Sequence, residues 1–158
     1  MSSAERDPKS VLRVGQIGVG VMALALVLPW LSYLVMSRSY LSICISVVEA
    51  LFNLPKGTPG PSGGDLLTLA GLAAPLVAVL IGLGSVFDTS KESDNKGRFG
   101  GFLASGGLGL LGVAGFYHFC SKTGSIGSEA MGTGVYLFAV AALVVLVTGI
   151  IGVSSKEN

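Results

Sequence analysis

Few residues of this chain could do chemistry. It has two cysteines, Cys44 and Cys120, and one histidine, His118. Thiolate and imidazole groups are common ligands of zinc and of haem iron, but the spacing of these three residues matches no standard metal-binding pattern. The single histidine also lacks the nearby serine and acid that hydrolytic catalysis needs. We therefore predict no catalytic residue, no metal site, no cofactor and no enzyme activity.

The elements that position the two cysteines and the histidine are four long apolar stretches. They cover residues 15–36, 66–87, 99–119 and 131–153, and none contains Asp, Glu, Lys or Arg. Each has 21 to 23 residues, so as a helix each would be roughly 32–35 Å long, enough to cross a hydrocarbon core of about 30 Å. The pattern predicts an all-α membrane protein, a four-helix transmembrane bundle surrounded by the lipid bilayer.

The rest of the chain is too short for a second domain. Only 12% of the 158 residues are charged, about half of what a soluble domain carries. The longest connecting segment, residues 37–65, is shorter than the roughly 40 residues that an unaided domain needs. We predict one domain, residues 1–158, in which residues 37–65 form a small extracytoplasmic cap between the first two helices. The net charge of +1 gives no electrostatic reason to expect a nucleic-acid partner.

Two residue distributions indicate the orientation in the membrane. Seven of the ten Lys and Arg residues lie on the side of the two termini, which the positive-inside rule places in the cytoplasm. Trp and Tyr, which favour membrane interfaces, lie toward the opposite face. We predict a multi-pass integral membrane protein with cytoplasmic N- and C-termini. The expected anchors at the outer interface are Trp30, Tyr33, Tyr117 and Tyr136.

This orientation places both cysteines outside the cytoplasm. Two predicted spans separate Cys44 from Cys120, so the two residues lie on the same side of the membrane. Extracytoplasmic thiols tend to oxidise, and a bridge across so long a loop would stabilise the fold by up to roughly 4 kcal/mol in the chain-entropy model. The sequence leaves open whether the pair forms a disulfide or remains as two thiols at the membrane surface.

The cap combines two secondary-structure patterns. Between Tyr40 and Val47 apolar and polar residues alternate, as in a strand. A strand among lipid headgroups would lack a partner, so we favour a helix somewhere in residues 40–53. That helix would be amphipathic and could lie in the membrane surface. One of its faces would then carry Leu41, Cys44, Ile45, Val48 and Phe52.

Small residues are concentrated in the third apolar stretch. Small residues spaced four apart let two helix backbones approach closely, so that van der Waals contacts and weak Cα–H···O bonds can form. We predict that this helix is central and closely packed. Because its glycines point to more than one side, contact with another protein remains open beside packing within the bundle. The residues expected to pack are Gly101, Ser105 and Gly109 on one side of the helix, with Gly112 on a neighbouring face.

The absence of charged residues from the apolar stretches bears on function. Proton-coupled exporters rely on a charged residue within the membrane, and these stretches contain no Asp, Glu, Lys or Arg. We predict a non-catalytic integral membrane protein, a structural, accessory or assembly subunit that packs against other membrane-protein subunits or forms a homo-oligomer. The alternative is a small oligomeric channel or transporter for a small solute.

Overall fold

The structure, a computed structural model, describes residues 8–33, 36–53, 55, 63–87, 95–122 and 131–154. Helices dominate this part of the chain, and two short strands form its sheet. The elements in chain order are α1 (Pro8–Ala25), β1 (Pro29–Tyr33), β2 (Met36–Ser39), α2 (Tyr40–Phe52), α3 (Gly63–Phe87), α4 (Asn95–Lys122) and α5 (Thr133–Ser154).

Three of these helices are long and apolar enough to cross a membrane. The qualifying segments are Leu69–Phe87, Lys96–Ser121 and Thr133–Ser154, with mean hydropathies of 2.2, 1.5 and 2.6. The helix α2 is also apolar but is too short to span. The prediction of an all-α protein is confirmed, and the three long helices indicate an integral membrane protein.

The first apolar stretch differs from its prediction. The helix α1 has 18 residues and ends at Ala25, and α1 is not among the three helices that qualify as spans. Pro29 has no N–H group and disfavours helical backbone at the residue before it, which favours an end of the helix before this position. The chain instead forms an antiparallel hairpin in which β1 pairs with β2. The prediction of one helix over residues 15–36 is therefore wrong in its second half.

Within the predicted cap, the part of the chain that we expected to be helical forms α2. Ser39 caps the start of α2, because its side chain accepts a hydrogen bond from the backbone N–H of Ser42 at 3.3 Å. At the other end, the N–H of Asn53 donates to the Glu49 carbonyl at 3.0 Å. The alternating pattern after Tyr40 therefore does not form a strand, and the strands lie just before it in the sequence.

The helix α4 lies between α3 and α5, and α1 packs along α5 and also touches α4. Contact between α1 and α3 is limited, and it includes the side chain of Val19 lying over Gly82. Two polar side chains are buried among these helices, and both are satisfied by carbonyl groups. Ser105 donates to the Ala78 carbonyl at 2.7 Å, and Thr148 donates to the Val144 carbonyl at 2.7 Å.

Three of the four residues predicted to pack on α4 face α3. Gly101 lies against the Ser85 side chain, and Ser105 bonds to α3 through its hydroxyl. A Cβ atom added at Gly112 would lie 2.5 Å from Cδ of Pro75 and 2.8 Å from its nitrogen. The backbones of α3 and α4 therefore approach more closely here than side chains would allow.

Gly109 belongs to a different face of α4. An added Cβ there would lie 3.0 Å from Cβ of Ala142 on α5 and 3.0 Å from Cε of Met22 on α1. Eight residues of helix turn through roughly 800°, so Gly109 is displaced by about 80° from Gly101. Gly101 and Ser105 therefore face a different neighbour from Gly109, and small residues occur on two packed sides of α4.

We predict that Gly112→Ala destabilises the bundle by about 1–3 kcal/mol, because the added methyl group meets the rigid Pro75 ring. The matched control is Gly84→Ala, since a Cβ at Gly84 in α3 would meet no atom within 4 Å. That control should be neutral or slightly stabilising, because alanine favours helix more than glycine does. Reversible unfolding in mixed micelles, followed by circular dichroism, measures both. Equal effects of the two substitutions would show that the α3–α4 contact is not tight.

Candidate functional site

A buried aromatic cluster lies at one end of the bundle. The ring centroid of Trp30 is 4.6 Å from that of Tyr40, 5.0 Å from Phe116 and 5.3 Å from Phe138. These are favourable separations for tilted and edge-to-face aromatic pairs. All four side chains are 0% exposed. The indole N–H of Trp30 donates to the Ala25 carbonyl at 2.8 Å, so its polar group is satisfied without water.

Glycines at the start of α5 admit the indole ring. A Cβ atom at Gly134 would lie 2.5 Å from Cδ1 of Trp30. The N–H of Gly132 donates to the Trp30 carbonyl at 2.8 Å, and Leu31 forms an isolated bridge with Met131. These contacts attach the hairpin to α5 and hold Trp30 inside the bundle.

Tyr40 links α2 to a proline in α3. Pro75 lies inside α3 and has no N–H, so the carbonyl four residues earlier loses its helical partner. The next carbonyl, that of Leu72, accepts a hydrogen bond from the Tyr40 hydroxyl. A side chain that bonds into a helix beside a proline satisfies backbone groups that the proline disturbs. Tyr40 thus fixes the start of α2 against α3.

The environment of Tyr40 keeps its hydroxyl protonated. Burial raises the pKa of Tyr40 well above its ordinary value, a hydrogen bond and charge interaction with Cys44 raise it further, and the Leu76 backbone opposes the rise. Burial also raises the pKa of Cys44, while its hydrogen bond with Tyr40 acts in the opposite direction. A neutral thiol is a poor nucleophile, so Cys44 is not activated for chemistry.

The two cysteines do not form a disulfide. Cys120 is buried in the core and Cys44 is half-buried on α2, and their sulfur atoms are not at bonding distance. Of the two alternatives that the sequence left open, the structure therefore contains two thiols and no disulfide between Cys44 and Cys120. Each thiol is held by its own helix in apolar packing. Among the described residues, no three His, Cys, Asp or Glu side chains come together as a metal site would require.

The predicted interface anchors separate into two kinds. The prediction that Trp30 anchors the protein at the interface is wrong, because its ring is buried in the aromatic cluster and does not reach the protein surface. Its burial depends on Gly132 and Gly134, which are distant in sequence. Tyr117 and Tyr136 are 53% and 58% exposed, and an anchoring role for them remains a prediction. The side chain of Tyr33 lies outside the described part of the structure.

The third side of α4 points out of the bundle and carries mostly small residues. We name this the outer face of α4, formed by Gly100, Ala104, Gly107, Leu111 and Ala114. Spacings of four and three residues keep these positions on one side of a helix. A Cβ atom at Gly100 would meet nothing within 4 Å, and one at Gly107 would approach only Leu146, at 4.0 Å. Contacts within the described chain thus leave Gly100 and Gly107 without a close neighbour.

An apolar groove runs along the outside of the α1–α5 contact. It consists of two neighbouring cavities of about 380 and 340 Å³, both lined by Val14 and Val144. Its floor is set by close helix contact, since a Cβ at Gly18 would lie 2.6 Å from the Val145 side chain. The groove and the outer face of α4 are the two outward surfaces that the fold shapes.

We predict that Tyr40→Phe lowers the free energy of unfolding by about 1 kcal/mol, because the Leu72 carbonyl loses its donor. Tyr136→Phe, at an exposed position, should have little effect. Ultraviolet titration gives a second readout, since ordinary tyrosines ionise near pH 10 and Tyr40 should remain neutral there. Tyr40→Phe should therefore leave the phenolate absorbance that develops near pH 10 unchanged. A reduction with Tyr40→Phe would contradict the buried, protonated state.

No protein-family model and no curated protein matches this chain. What the aromatic cluster and the outward surfaces do must therefore be inferred from their geometry.

Proposed function

We propose that this protein is a non-catalytic integral membrane subunit with a structural, accessory or assembly role. In this proposal α1, α3, α4 and α5 cross the bilayer, and both termini lie in the cytoplasm. The hairpin and α2 form the extracytoplasmic cap. The protein associates with further membrane-protein subunits or with copies of itself through the outer face of α4. That unfilled face of small residues is the observation that carries the proposal.

The packing of α1 supports a fourth crossing. The helix has 18 residues, which gives a length of about 27 Å, close to the thickness of the hydrocarbon core. It lies against α5 and α4 at two glycines, since a Cβ at Gly15 or Gly18 would lie 2.6 Å from Phe102 or Val145, respectively. Long basic side chains such as Arg13 can extend to the interface from a helix end.

The contrast between α4 and α5 supports a protein contact at α4. The outward side of α5 carries large residues, including Tyr136, Val140 and Leu143, which suit lipid chains. The outer face of α4 carries glycine or alanine at four of its five positions, and Leu111 occupies the fifth. Lipid does not require small residues, whereas close helix–helix contact does. Because a flat strip of small residues is complementary to itself, we take a second copy of this chain as its first expected occupant.

We predict that Gly100→Leu with Gly107→Leu disrupts this association without unfolding the monomer, because both positions have open space around them. The matched control is Gly20→Leu with Gly84→Leu, two further helical glycines with no atom within 4 Å of an added Cβ. Mild solubilisation followed by size-exclusion chromatography with light scattering gives the oligomeric state. The wild type and the control should be dimers or larger, and the α4 variant should be a monomer.

Other results of the same experiment also decide the proposal. Co-purification of a different membrane protein that is lost only in the α4 variant would support an accessory subunit of a larger complex. A wild-type monomer with no partner, both in detergent and in liposomes, would contradict the proposal. Solute flux through liposomes that contain only this chain would favour the alternative of a small oligomeric channel or transporter.

A further inference from the structure

The surface of α2 is divided into three strips. The first faces the bundle, with Tyr40 and Ile43 buried and Cys44 and Val47 half-buried. The second is apolar and exposed, and it ends at Phe52, which is 86% exposed. Its members are Leu41, Ile45, Val48 and Phe52. The third strip is polar and consists of Ser42, Ser46, Glu49 and Asn53.

The angular positions of the strips limit how α2 can lie. At 3.6 residues per turn, the centre of the exposed apolar strip lies roughly 110° from the strip that faces the bundle. The polar strip lies roughly 100° farther round in the same direction. The three strips therefore require three different environments around α2: the bundle on the first side, an apolar environment on the second and a polar one on the third.

Contacts with the long helices give the depth of α2. Its first residue, Tyr40, bonds to Leu72, which lies nine residues after the first residue of α3. The Trp30 ring beside it touches Phe116, six residues before the end of α4, and Phe138, five residues after the start of α5. At about 1.5 Å per residue, these contacts lie roughly 8–14 Å inside the ends of the three helices. Amphipathic helices in a membrane surface insert their apolar side by roughly 5–10 Å, which overlaps this range.

We infer that α2 is an interfacial helix that lies flat in the boundary between headgroups and acyl chains, with its exposed apolar strip in lipid. Its partner is the bilayer surface itself. A helix of 13 residues is about 20 Å long and cannot span. If α2 stood upright beside the bundle, its polar strip would run down through hydrocarbon, where polar groups are unfavourable. A flat helix points the same strip toward water.

Charge at the start of α2 agrees with this placement. Arg38 is exposed, and its guanidinium lies 3.4 Å from the Ser46 hydroxyl, on the polar side of the helix. At that level a cationic side chain can bind lipid phosphate groups. The inference does not depend on the proposed association through α4, because α2 and the outer face of α4 are different surfaces.

The test uses tryptophan fluorescence in liposomes. Phe52→Trp places a reporter on the apolar strip, and Ser42→Trp is the matched control on the polar strip. Trp30 is buried in every protein compared, so the wild-type signal can be subtracted as background. Lipid brominated near the headgroup end of its acyl chains should quench the Phe52→Trp reporter at least about twofold more than the Ser42→Trp reporter. Aqueous acrylamide should show the opposite preference.

Two results would overturn the inference. Strong acrylamide quenching of both reporters would place α2 in water, away from the membrane. Protection of the Phe52→Trp reporter from both quenchers would mean that protein covers the strip. Repeating the measurement at a tenfold lower ratio of protein to lipid then identifies the cover, because a second copy of this chain would dissociate on dilution and expose the reporter.

Discussion

Apolar side chains cover the outward surfaces of the long helices, and this constraint governs the rest of the structure. Phe87 on α3, Leu111 on α4 and Val140 on α5 are all exposed. In lipid, no hydrophobic driving force brings two apolar helices together, because the lipid chains are as apolar as the side chains. Such helices therefore associate through close van der Waals contact. The glycines of α4 provide that contact on two sides. Gly115 allows a backbone approach to Gly71, at which an added Cβ would lie 2.8 Å from the opposing Cα.

The aromatic cluster connects this packing to the extramembrane end of the chain. Trp30 fills the space between the ends of the helices, and it can do so because glycines at the start of α5 leave room for its ring. Its backbone ties the hairpin to α5, and Tyr40 ties α2 to the disturbed backbone beside Pro75. The same contacts that complete the core therefore also set the position of α2 relative to the long helices.

The sequence predicts the three long apolar helices α3, α4 and α5 well, because they follow from local composition. It fails where an outcome depends on residues far apart. Tryptophan is a residue type that favours membrane interfaces, but Gly132 and Gly134 leave room for Trp30 in a buried position. The sequence predicts that Cys44 and Cys120 lie on the same side of the membrane, but the residues around each cysteine do not give the distance between the two. Gly109 falls on another side of α4 than Gly101 because spacings of four residues drift round a helix. Pro29 was a local signal that the first helix would end early.

Extraction of the membrane fraction tests the central claim most directly. The protein should remain in the membrane pellet after alkaline carbonate treatment, which releases peripheral proteins, and should dissolve only when detergent replaces the lipid around its helices. Release into the aqueous supernatant as a folded, helical protein without detergent would contradict the claim that these helices are surrounded by lipid.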